Sequence, residues 1–305
     1  MNDSTTTAPL GSAVNDYAQT GSRYDEFRQP MGFRHLVDSC QSTAQRLGLD
    51  LGALQLLAAG CGTGNYEERM LGHWRESGSM IGGVHLVDLF DEMLVQARSK
   101  VEPFGVLRGV HQTDLVAEDV PVDDGSIHIA TLVECIHHFD RGNKLHPRTE
   151  AVLSRLRKKI VTGGSLCIVS TTPTQSRKSR YYQWAGQHAG LDVAEDPGTL
   201  YAEQYPRLEL VIALLEDAGF ECRPVRRIFG PYIREDVYLD PERLLADGEF
   251  AVSFFKYARD RGLFDRFAEG FSALIQSGGM AEVIAESERW RKKIGTSYML
   301  EAVAA

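Results

Sequence analysis

Short apolar runs alternate with longer amphipathic stretches along the middle of the chain. The apolar runs end in glycine or in a polar residue, which is typical of strands that are buried on both faces. Five such strands are predicted, at 55–59, 80–87, 106–110, 127–136 and 165–170. Two further strands are predicted later in the chain, at 221–228 and 296–303.

Between these runs, apolar residues recur at helical spacing. The predicted helices are 17–48, 66–74, 91–98, 149–160 and 208–218. Strands and helices that alternate at short intervals from about residue 54 to residue 170 indicate a parallel sheet with helices on both faces. We therefore expect an α/β fold with N-terminal helices and a doubly wound, mostly parallel seven-stranded sheet.

One segment departs from this alternation. Residues 240–295 are predicted to be mostly helical, and they contain Phe250, Phe254, Phe255, Phe264, Phe267 and Phe271. The segment is either a helical lobe that packs on itself or on another subunit, or a lid whose aromatic face covers an active site. We expect a flexible tail at 1–16, a core at 17–239, a helical cap at 240–295 and the last strand of the core at 296–305.

Composition narrows the classes of function. The chain of 305 residues has a formal net charge of −9, which argues against a protein that holds nucleic acid through a basic face. Its five cysteines are widely spaced without a CxxC pair, which indicates reduced thiols and a cytoplasmic protein. The first residues do not read as a signal peptide, and no apolar run is long enough to span a membrane. We expect no nucleic-acid partner and no membrane partner.

Three glycines follow the first predicted strand at alternate positions: Gly60, Gly62 and Gly64. Glycine at such a place indicates a tight turn or a ligand that lies against the main chain. In an open α/β sheet, ligands bind where strands end and helices begin, and the free N–H groups of the next helix add to the site. A dinucleotide-binding loop would have a small residue at position 65, where this chain has Asn65.

This loop and the segments after it resemble the class I methyltransferases that depend on S-adenosylmethionine (SAM), in their small-molecule branch. The resemblance covers about residues 54–228, and it implies a Rossmann-like fold with SAM as cofactor. The matching segments are the glycine loop at 60–66, the stretch 87–94, Asp114, the fourth-strand segment 126–139, the turn at 163–166 and the stretch 214–220.

The resemblance also implies a set of cofactor-binding residues. Asp88 is expected to accept both ribose hydroxyls, and Asp114 to contact the adenine amino group. Tyr24 and Arg28 are expected near the cofactor carboxylate, on an N-terminal helix that folds over the site. The other expected contacts are Gly60, Cys61, Gly62, Gly64, Leu89, Met93, Leu115 and Glu134. The alternatives are a helix cap for Asp88, a half-buried helix residue for Tyr24 and a solvated charge for Arg28.

Two positions depart from the family pattern. Ala58 stands where many members carry an acid that helps to organise the loop and the methionine amino group, so the sequence leaves that contact without its usual residue. Ile127 and His128 open the fourth strand in place of the frequent Phe-Asp pair. We interpret this second change as structural, because the site lies at the other end of the strand.

Two histidines, His137 and His138, lie beside the expected position of the transferring methyl group. Because histidine titrates near neutral pH, one of them is a candidate general base, and at most one is expected to face the site. The alternative at each position is a structural histidine. With His146 they form a group of three, but no carboxylate or cysteine stands at ligand spacing, and no metal is expected.

Aromatic residues from other parts of the chain are candidate acceptor contacts: Tyr17, Tyr181, Trp184 and Phe254. For the aromatic cluster around 181–184, the alternative is an anchor that holds a loop. The basic stretch at 177–180 is interpreted either as an attraction for an anionic substrate or as a solvated loop.

The expected function is methyl transfer from SAM to a small, hydrophobic or aromatic metabolite, in biosynthesis. Oxygen, carbon and nitrogen acceptors all stay open. The alternatives are an oxidoreductase that uses a nicotinamide dinucleotide, which shares the sheet and the ribose acid, and a SAM-binding protein without catalytic activity, for which Ala58 is the hint. The N-terminal helix and the Phe-rich segment are candidate contacts of a homodimer or a higher homo-oligomer.

Overall fold

A mixed β-sheet forms the centre of the molecule. The computed structural model describes residues 23, 25–140, 145–188, 190–192, 196–251 and 253–305, so the predicted tail at 1–16 lies outside the described residues. In this part of the chain the strands are β1 (Gln55–Ala59), β2 (Gly83–Asp88), β3 (Leu107–Gln112), β4 (Ile127–Val133), β5 (Ile160–Ser170), β6 (Phe220–Cys222), β7 (Arg226–Ile228) and β8 (Ser297–Ala304).

The strand order confirms the doubly wound prediction. It is β3-β2-β1-β4-β5-β8-β6, with β7 also pairing with β8. Strands β1 to β5 are parallel, and β8 runs antiparallel between β5 on one side and β6 and β7 on the other. The order along the sheet reverses between β1 and β4, and the carboxyl ends of these two strands meet at the point where open α/β sheets bind ligands.

Helices cover both faces of the sheet. They are α1 (Phe33–Leu47), α2 (Asn65–Glu76), α3 (Asp91–Val101), α4 (His137–Asp140), α5 (Pro147–Lys159), α6 (Pro173–Ser179), α7 (Tyr181–His188), α8 (Pro197–Ala202), α9 (Leu208–Asp217), α10 (Glu235–Tyr238), α11 (Pro241–Ala251), α12 (Ser253–Asp260), α13 (Phe264–Gln276) and α14 (Met280–Ile294). Short 3₁₀ turns lie at Leu51–Ala53 and Glu102–Phe104.

Alternation along β1 divides the core between the two faces. Leu57 and Ala59 pack with α5 and α9, whereas Leu56 and Ala58 pack with α1, α2 and α3. All four side chains are at most 1% exposed. A strand that is buried on both faces explains why this stretch is uniformly apolar.

Two strand predictions need correction. The single strand expected at 221–228 is two short strands, so the sheet has eight strands in the described residues instead of seven. The interruption contains Pro224, which has no N–H to donate to a ladder. The fourth strand ends at Val133 instead of continuing to 136, because Glu134 turns the chain with a φ of 48°.

The helical segment 240–295 packs around an aromatic cluster of its own. We use "aromatic cluster" for the buried residues Tyr181, Tyr182, Trp184, Tyr201, Tyr205, Tyr238, Phe254, Phe255, Phe267 and Phe271. Neighbouring rings lie 5.2 Å (Phe254 and Phe267) and 5.5 Å (Phe267 and Phe271) apart. The phenylalanines therefore face α7 and α8 in a third core, separate from the two that flank the sheet.

None of the helices in the described ranges has the length and apolar character that crossing a membrane requires.

Candidate active site

A cavity of about 760 Å³ opens at the carboxyl ends of β1, β2 and β4. Ala59, Asp88 and Val133, which end these three strands, all line it. Its size lies within the range of about 300–1,000 Å³ that is usual for ligand sites. Most of the residues predicted to bind cofactor are in its wall: Arg28, Gly60, Cys61, Gly62, Asp88, Leu89, Met93, Asp114, Leu115 and Glu134.

The three loop glycines are required for three different reasons. All have positive φ, of 70° at Gly60, 53° at Gly62 and 73° at Gly64. A Cβ on Gly60 would lie 3.1 Å from the Sγ of Cys135, and a Cβ on Gly64 would lie 2.7 Å from the Cα of Ala97 in α3. A Cβ on Gly62 would meet no atom within 4 Å, so Gly62 is the one of these three glycines that leaves open space beside the main chain.

Gly64 therefore differs from the prediction. It is absent from the cavity wall, because the chain turns there into α2 and its backbone packs against α3. Only a glycine allows the loop and α3 to approach so closely. Gly64 therefore allows the loop to pack against α3 and does not line the cavity.

Asp88 connects the glycine loop to the end of β2. Its Oδ2 accepts a hydrogen bond from the Gly62 N–H at 2.8 Å, and its Oδ1 accepts one from the Phe90 N–H at 3.1 Å. The residue is 8% exposed, and burial raises the pKa of its carboxyl, although these two N–H groups oppose the shift. Each carboxylate oxygen keeps lone pairs for a further donor, which fits a pair of ribose hydroxyls.

Asp114, which is expected to contact adenine, and three other residues expected to contact the cofactor line the cavity. Met93 and Leu115 are buried, and Leu89 is 38% exposed. Asp114 Oδ1 accepts a hydrogen bond from the Val116 N–H at 2.9 Å. An apolar slot beside a single carboxylate suits a flat heterocycle with an exocyclic amino group.

Glu67 is an acidic residue of the wall that sequence reasoning missed. It lies in the first turn of α2, just after the glycine loop, and is 3% exposed. Burial raises the pKa of its carboxyl to about 7. Its chain position inside a helix resembled that of an ordinary surface glutamate, so no local pattern marked it.

The N-terminal segment lies against the loop and the cavity. The Thr63 hydroxyl donates to Asp25 Oδ1 at 2.8 Å, and Lys100 forms an ion pair with the same carboxylate. Arg28 pairs with Ile233 in an isolated β-bridge, and its guanidinium lies 4.2 Å from the centre of the Tyr232 ring. Tyr17 and Tyr24, the other predicted site residues from this region, lie outside the described residues.

The two adjacent histidines occupy different environments. Both lie in the one-turn helix α4, but only His138 is exposed and lines the cavity. His137 is 5% exposed and packs against the Tyr205 ring at 4.6 Å. Burial, with the neighbouring His138 and two arginines, holds the pKa of His137 well below its usual value.

Glu134 lies where the fourth strand meets this helix. Its φ of 48° is rare for a residue with a side chain, costs about 1–3 kcal/mol and is found mainly at functional sites. Its Oε1 accepts hydrogen bonds from the Ser297 hydroxyl at 3.0 Å and from the Thr171 hydroxyl at 3.4 Å. The Arg180 guanidinium lies 3.8 Å from the same oxygen.

Three predicted acceptor contacts are not in the cavity wall. Tyr181 is fully buried in the aromatic cluster, where its hydroxyl donates to the Tyr238 carbonyl at 2.8 Å. Trp184 is 6% exposed and packs in the same cluster, and Phe254 borders only a small side pocket. The Tyr181 ring packs against Phe271 of α13 and the Phe254 ring against Tyr201 of α8, so the alternative of a buried anchor describes Tyr181 and Trp184 better.

Sequence reasoning also missed several polar and aromatic residues of the wall. They come from segments far apart in the chain: Gln29, Arg148, Tyr201, Gln204, Tyr232, Lys256, Tyr257 and Arg261. None of these stands in a recognisable motif. Only the Gly230–Pro231 turn before Tyr232 marks a place where the chain changes direction.

Within the described ranges, no group of three or more His, Cys, Asp or Glu side chains is arranged to hold a metal ion. His146, the third histidine of the predicted group, lies 3.6 Å from Asp140 Oδ2 through its Nδ1.

Comparisons with known proteins find a methyltransferase domain in the chain. Residues 56–164 match a family model described as a methyltransferase domain. No curated protein matches the chain by sequence.

Solved structures share the fold. One is a putative methyltransferase from an antibiotic biosynthesis pathway of Anabaena variabilis, at 16% identity and a TM-score of 0.58, with 87% of this chain and 96% of that one covered. Another is a chain in the complex between the Trm112 methyltransferase activator and the putative methyltransferase of Haloferax volcanii, at 16% identity and a TM-score of 0.51, with 96% and 97% covered. The family match makes residues 56–164 a methyltransferase domain with SAM as its cofactor, and the solved structures show that the chain shares the fold of such enzymes.

Proposed function

We propose that the enzyme transfers a methyl group from SAM to a small aromatic metabolite that binds in the same cavity. The observation that carries the proposal is the continuity of this cavity. Its wall runs from the glycine loop and Asp88 to His138, Tyr201 and Tyr232, and its volume of about 760 Å³ leaves room for a second small molecule.

The residues at the inner end of the cavity fit the cofactor. Gly62 leaves the main chain bare there, and Asp88 offers carboxylate oxygens beside it. The apolar wall formed by Met93 and Leu115 lies next to Asp114. When bound, SAM supplies an electrophilic methyl group on a sulfonium. The chain's own residues hold and orient the nucleoside.

The outer end of the cavity is aromatic and polar. Tyr201, Tyr232 and Tyr257 supply rings, and Ser253, Lys256 and Arg261 supply polar groups. Three of these six residues lie in α12, so one helix of the predicted cap contributes directly to the acceptor end. Tyrosine rings pack against flat ring systems and bring hydroxyls that orient them, which favours an aromatic acceptor.

Catalysis then depends on alignment in a site from which water is excluded, because methyl transfer is an in-line displacement. His138 is the residue that removes the proton from the acceptor. It is exposed to the cavity, whereas His137 is buried and kept neutral by its surroundings. General-base help of this kind is typically worth about 10²- to 10⁴-fold in rate.

Calorimetry and a methylation screen test the proposal together. S-adenosylhomocysteine (SAH) and NAD⁺ are titrated into the protein, and SAM carrying a labelled methyl group is incubated with phenols, aromatic acids and aromatic amines. We expect SAH to bind and NAD⁺ not to bind, and label to appear in at least one aromatic product. Binding of NAD⁺ without SAH would support the oxidoreductase instead. Binding of SAH without transfer to any acceptor would favour a protein that only binds SAM.

A further inference from the structure

The first turn of α2 places an acidic residue in a row of buried side chains. The buried residues of this helix follow a spacing of three and four, which is that of one helix face: Glu67, Met70, Leu71 and Trp74. The last three are apolar, and they pack with Ala58 of β1 in the same core. Packing alone favours an apolar residue at position 67 as well, so the carboxylate there needs another explanation.

Burial makes the charged form of Glu67 costly. The residue is 3% exposed, and burial raises the pKa of its carboxyl to about 7. The cation that acts on it is Lys100 of α3, which already forms an ion pair with Asp25. Within the described part of the chain, no other side chain forms an ion pair or a hydrogen bond with the Glu67 carboxylate. A buried carboxylate is stable when its charge is paired, so Glu67 lacks a cation of its own.

The Glu67 carboxylate is accessible from the cavity. Its own main-chain N–H is the hydrogen-bond donor that acts on it. One N–H leaves the second oxygen unpaired, yet neither oxygen is among the fully buried unpaired atoms of the described residues, so this oxygen reaches the cavity that Glu67 lines. Burial raises the pKa of the Cys61 thiol, and the charges of Asp88 and Glu67 raise it further. Both carboxylates therefore lie close to the glycine loop.

The other acidic residues of the wall already have partners or an expected part of the cofactor. Five acidic residues line the cavity in the described ranges. Asp260 and Glu134 each have a cation within ion-pair distance, at 2.7 Å and 3.8 Å. Asp88 and Asp114 are expected to bind the ribose and the adenine. Glu67 is the remaining acid, and it lies beside the loop that approaches the cofactor.

We propose that Glu67 binds the ammonium group in the methionine part of SAM. The ammonium donates a hydrogen bond to the Glu67 carboxylate and supplies the cation that this buried group lacks. This role rests on SAM as the cofactor of the proposed function and does not depend on the acceptor. Ala58 then has an explanation too: the acid that is missing from β1 is replaced by one from α2, which packs on the same face of the sheet as the Ala58 side chain.

The analogue of SAH that lacks only the α-amino group tests the contact directly. SAH carries the same ammonium as SAM but no sulfonium, so a difference between SAH and this desamino analogue reports on the ammonium alone. Both ligands are titrated calorimetrically into the parent protein. We expect SAH to bind at least about tenfold more tightly, since hydrogen bonds between charged groups are the stronger kind. Equal affinities would overturn the inference, whereas failure of SAH to bind at all would refute the proposed function.

Glu67→Gln tests the residue, with Glu68→Gln as its matched control. Glu68 is exposed, does not line the cavity and lies in the same first turn of α2, so the control removes the same charge from the same helix end. We expect Glu67→Gln to weaken SAH binding at least about tenfold and to leave the affinity for the desamino analogue unchanged, whereas Glu68→Gln changes neither.

Two outcomes would contradict the contact: an equal loss of affinity for both ligands in Glu67→Gln, or an equal loss of SAH affinity in Glu67→Gln and Glu68→Gln. If Glu67→Gln does not fold, Glu67→Asp replaces it with the same expectations, because its carboxylate is drawn back by one methylene group.

Discussion

The methyl group added by Gly64→Ala would lie 2.7 Å from the Cα of Ala97 and 2.9 Å from its Cβ. The nearest atom belongs to the backbone of α3, so no side chain can rotate away to make room. Gly62→Ala, two residues earlier, adds its methyl group where no atom lies within 4 Å. The same substitution therefore has different costs at two positions of one loop.

The magnitudes follow from two contributions. A left-handed φ costs a residue with a Cβ about 1–2 kcal/mol, and both glycines have one, at 73° and 53°. Forcing a methyl group into a packed place costs about 1–3 kcal/mol more, and this contribution arises only at Gly64. We expect Gly64→Ala to lower the free energy of unfolding by about 2–5 kcal/mol and Gly62→Ala by about 1–2 kcal/mol.

Gly78→Ala is the matched control for backbone strain. Gly78 has a φ of 71° and no atom within 4 Å of its added Cβ, and it does not line the cavity. Thermal unfolding of the three variants, followed by calorimetry, separates strain from packing. SAH titration completes the comparison: Gly62→Ala should weaken binding while staying as stable as Gly78→Ala. The reasoning is refuted if Gly64→Ala unfolds at the same temperature as Gly78→Ala.

Three further predictions concern single side chains. Asp88→Asn should weaken SAH binding by about 2 kcal/mol, because ribose hydroxyls lose a charged acceptor; unchanged affinity in calorimetry would remove Asp88 from the site. Burial raises the pKa of Glu67 from 4.5 to about 7, so between these pH values the native state keeps the Glu67 proton that the unfolded state releases. The free energy of unfolding therefore falls as the pH rises through this range. In denaturant unfolding, the free energy of unfolding of Glu67→Gln should therefore rise relative to that of the parent by about 3 kcal/mol between pH 4.5 and pH 8. The same pH dependence of this free energy in both proteins would contradict the prediction. Once an acceptor is known, His138→Gln should lower turnover about 10²-fold or more without changing the affinity for SAH. Full activity of this variant would show that His138 is not a general base and that the protein catalyses the reaction by positioning alone.

The inner part of the site could be predicted from sequence because its residues are fixed by local geometry. Asp88 ends one buried strand and Gly62 lies three residues after the end of another, and parallel strands bring their carboxyl ends to one edge of the sheet. The alternation of apolar runs predicted the sheet for the same reason. Short motifs determine these positions without reference to the rest of the chain.

The acceptor end could not be predicted in this way. Tyr201 and Tyr232 come from separate segments, and only the packing of those segments on the aromatic cluster brings them to the cavity. Arg180 ends a basic stretch for which one interpretation is a solvated loop. In the structure this stretch is the end of helix α6 and leads directly into α7, and Arg180 is buried there. Tyr181 and Trp184 were expected at the acceptor because aromatic residues after a strand end often face a site. Their burial depends on contacts with α13 that no local pattern contains.

The position of β8 has a consequence for how the molecule forms. Its pairing with β5, from Ser165 with Val303 to Ser170 with Tyr298, closes a loop of roughly 130 residues. Closing such a loop costs about 4 kcal/mol of chain entropy before any strand contact compensates it. The cap helices and most of the acceptor wall lie within this loop. We expect β8 to pair with β5 late in folding, after the helices within the loop have packed together. Refolding should be slow for that reason.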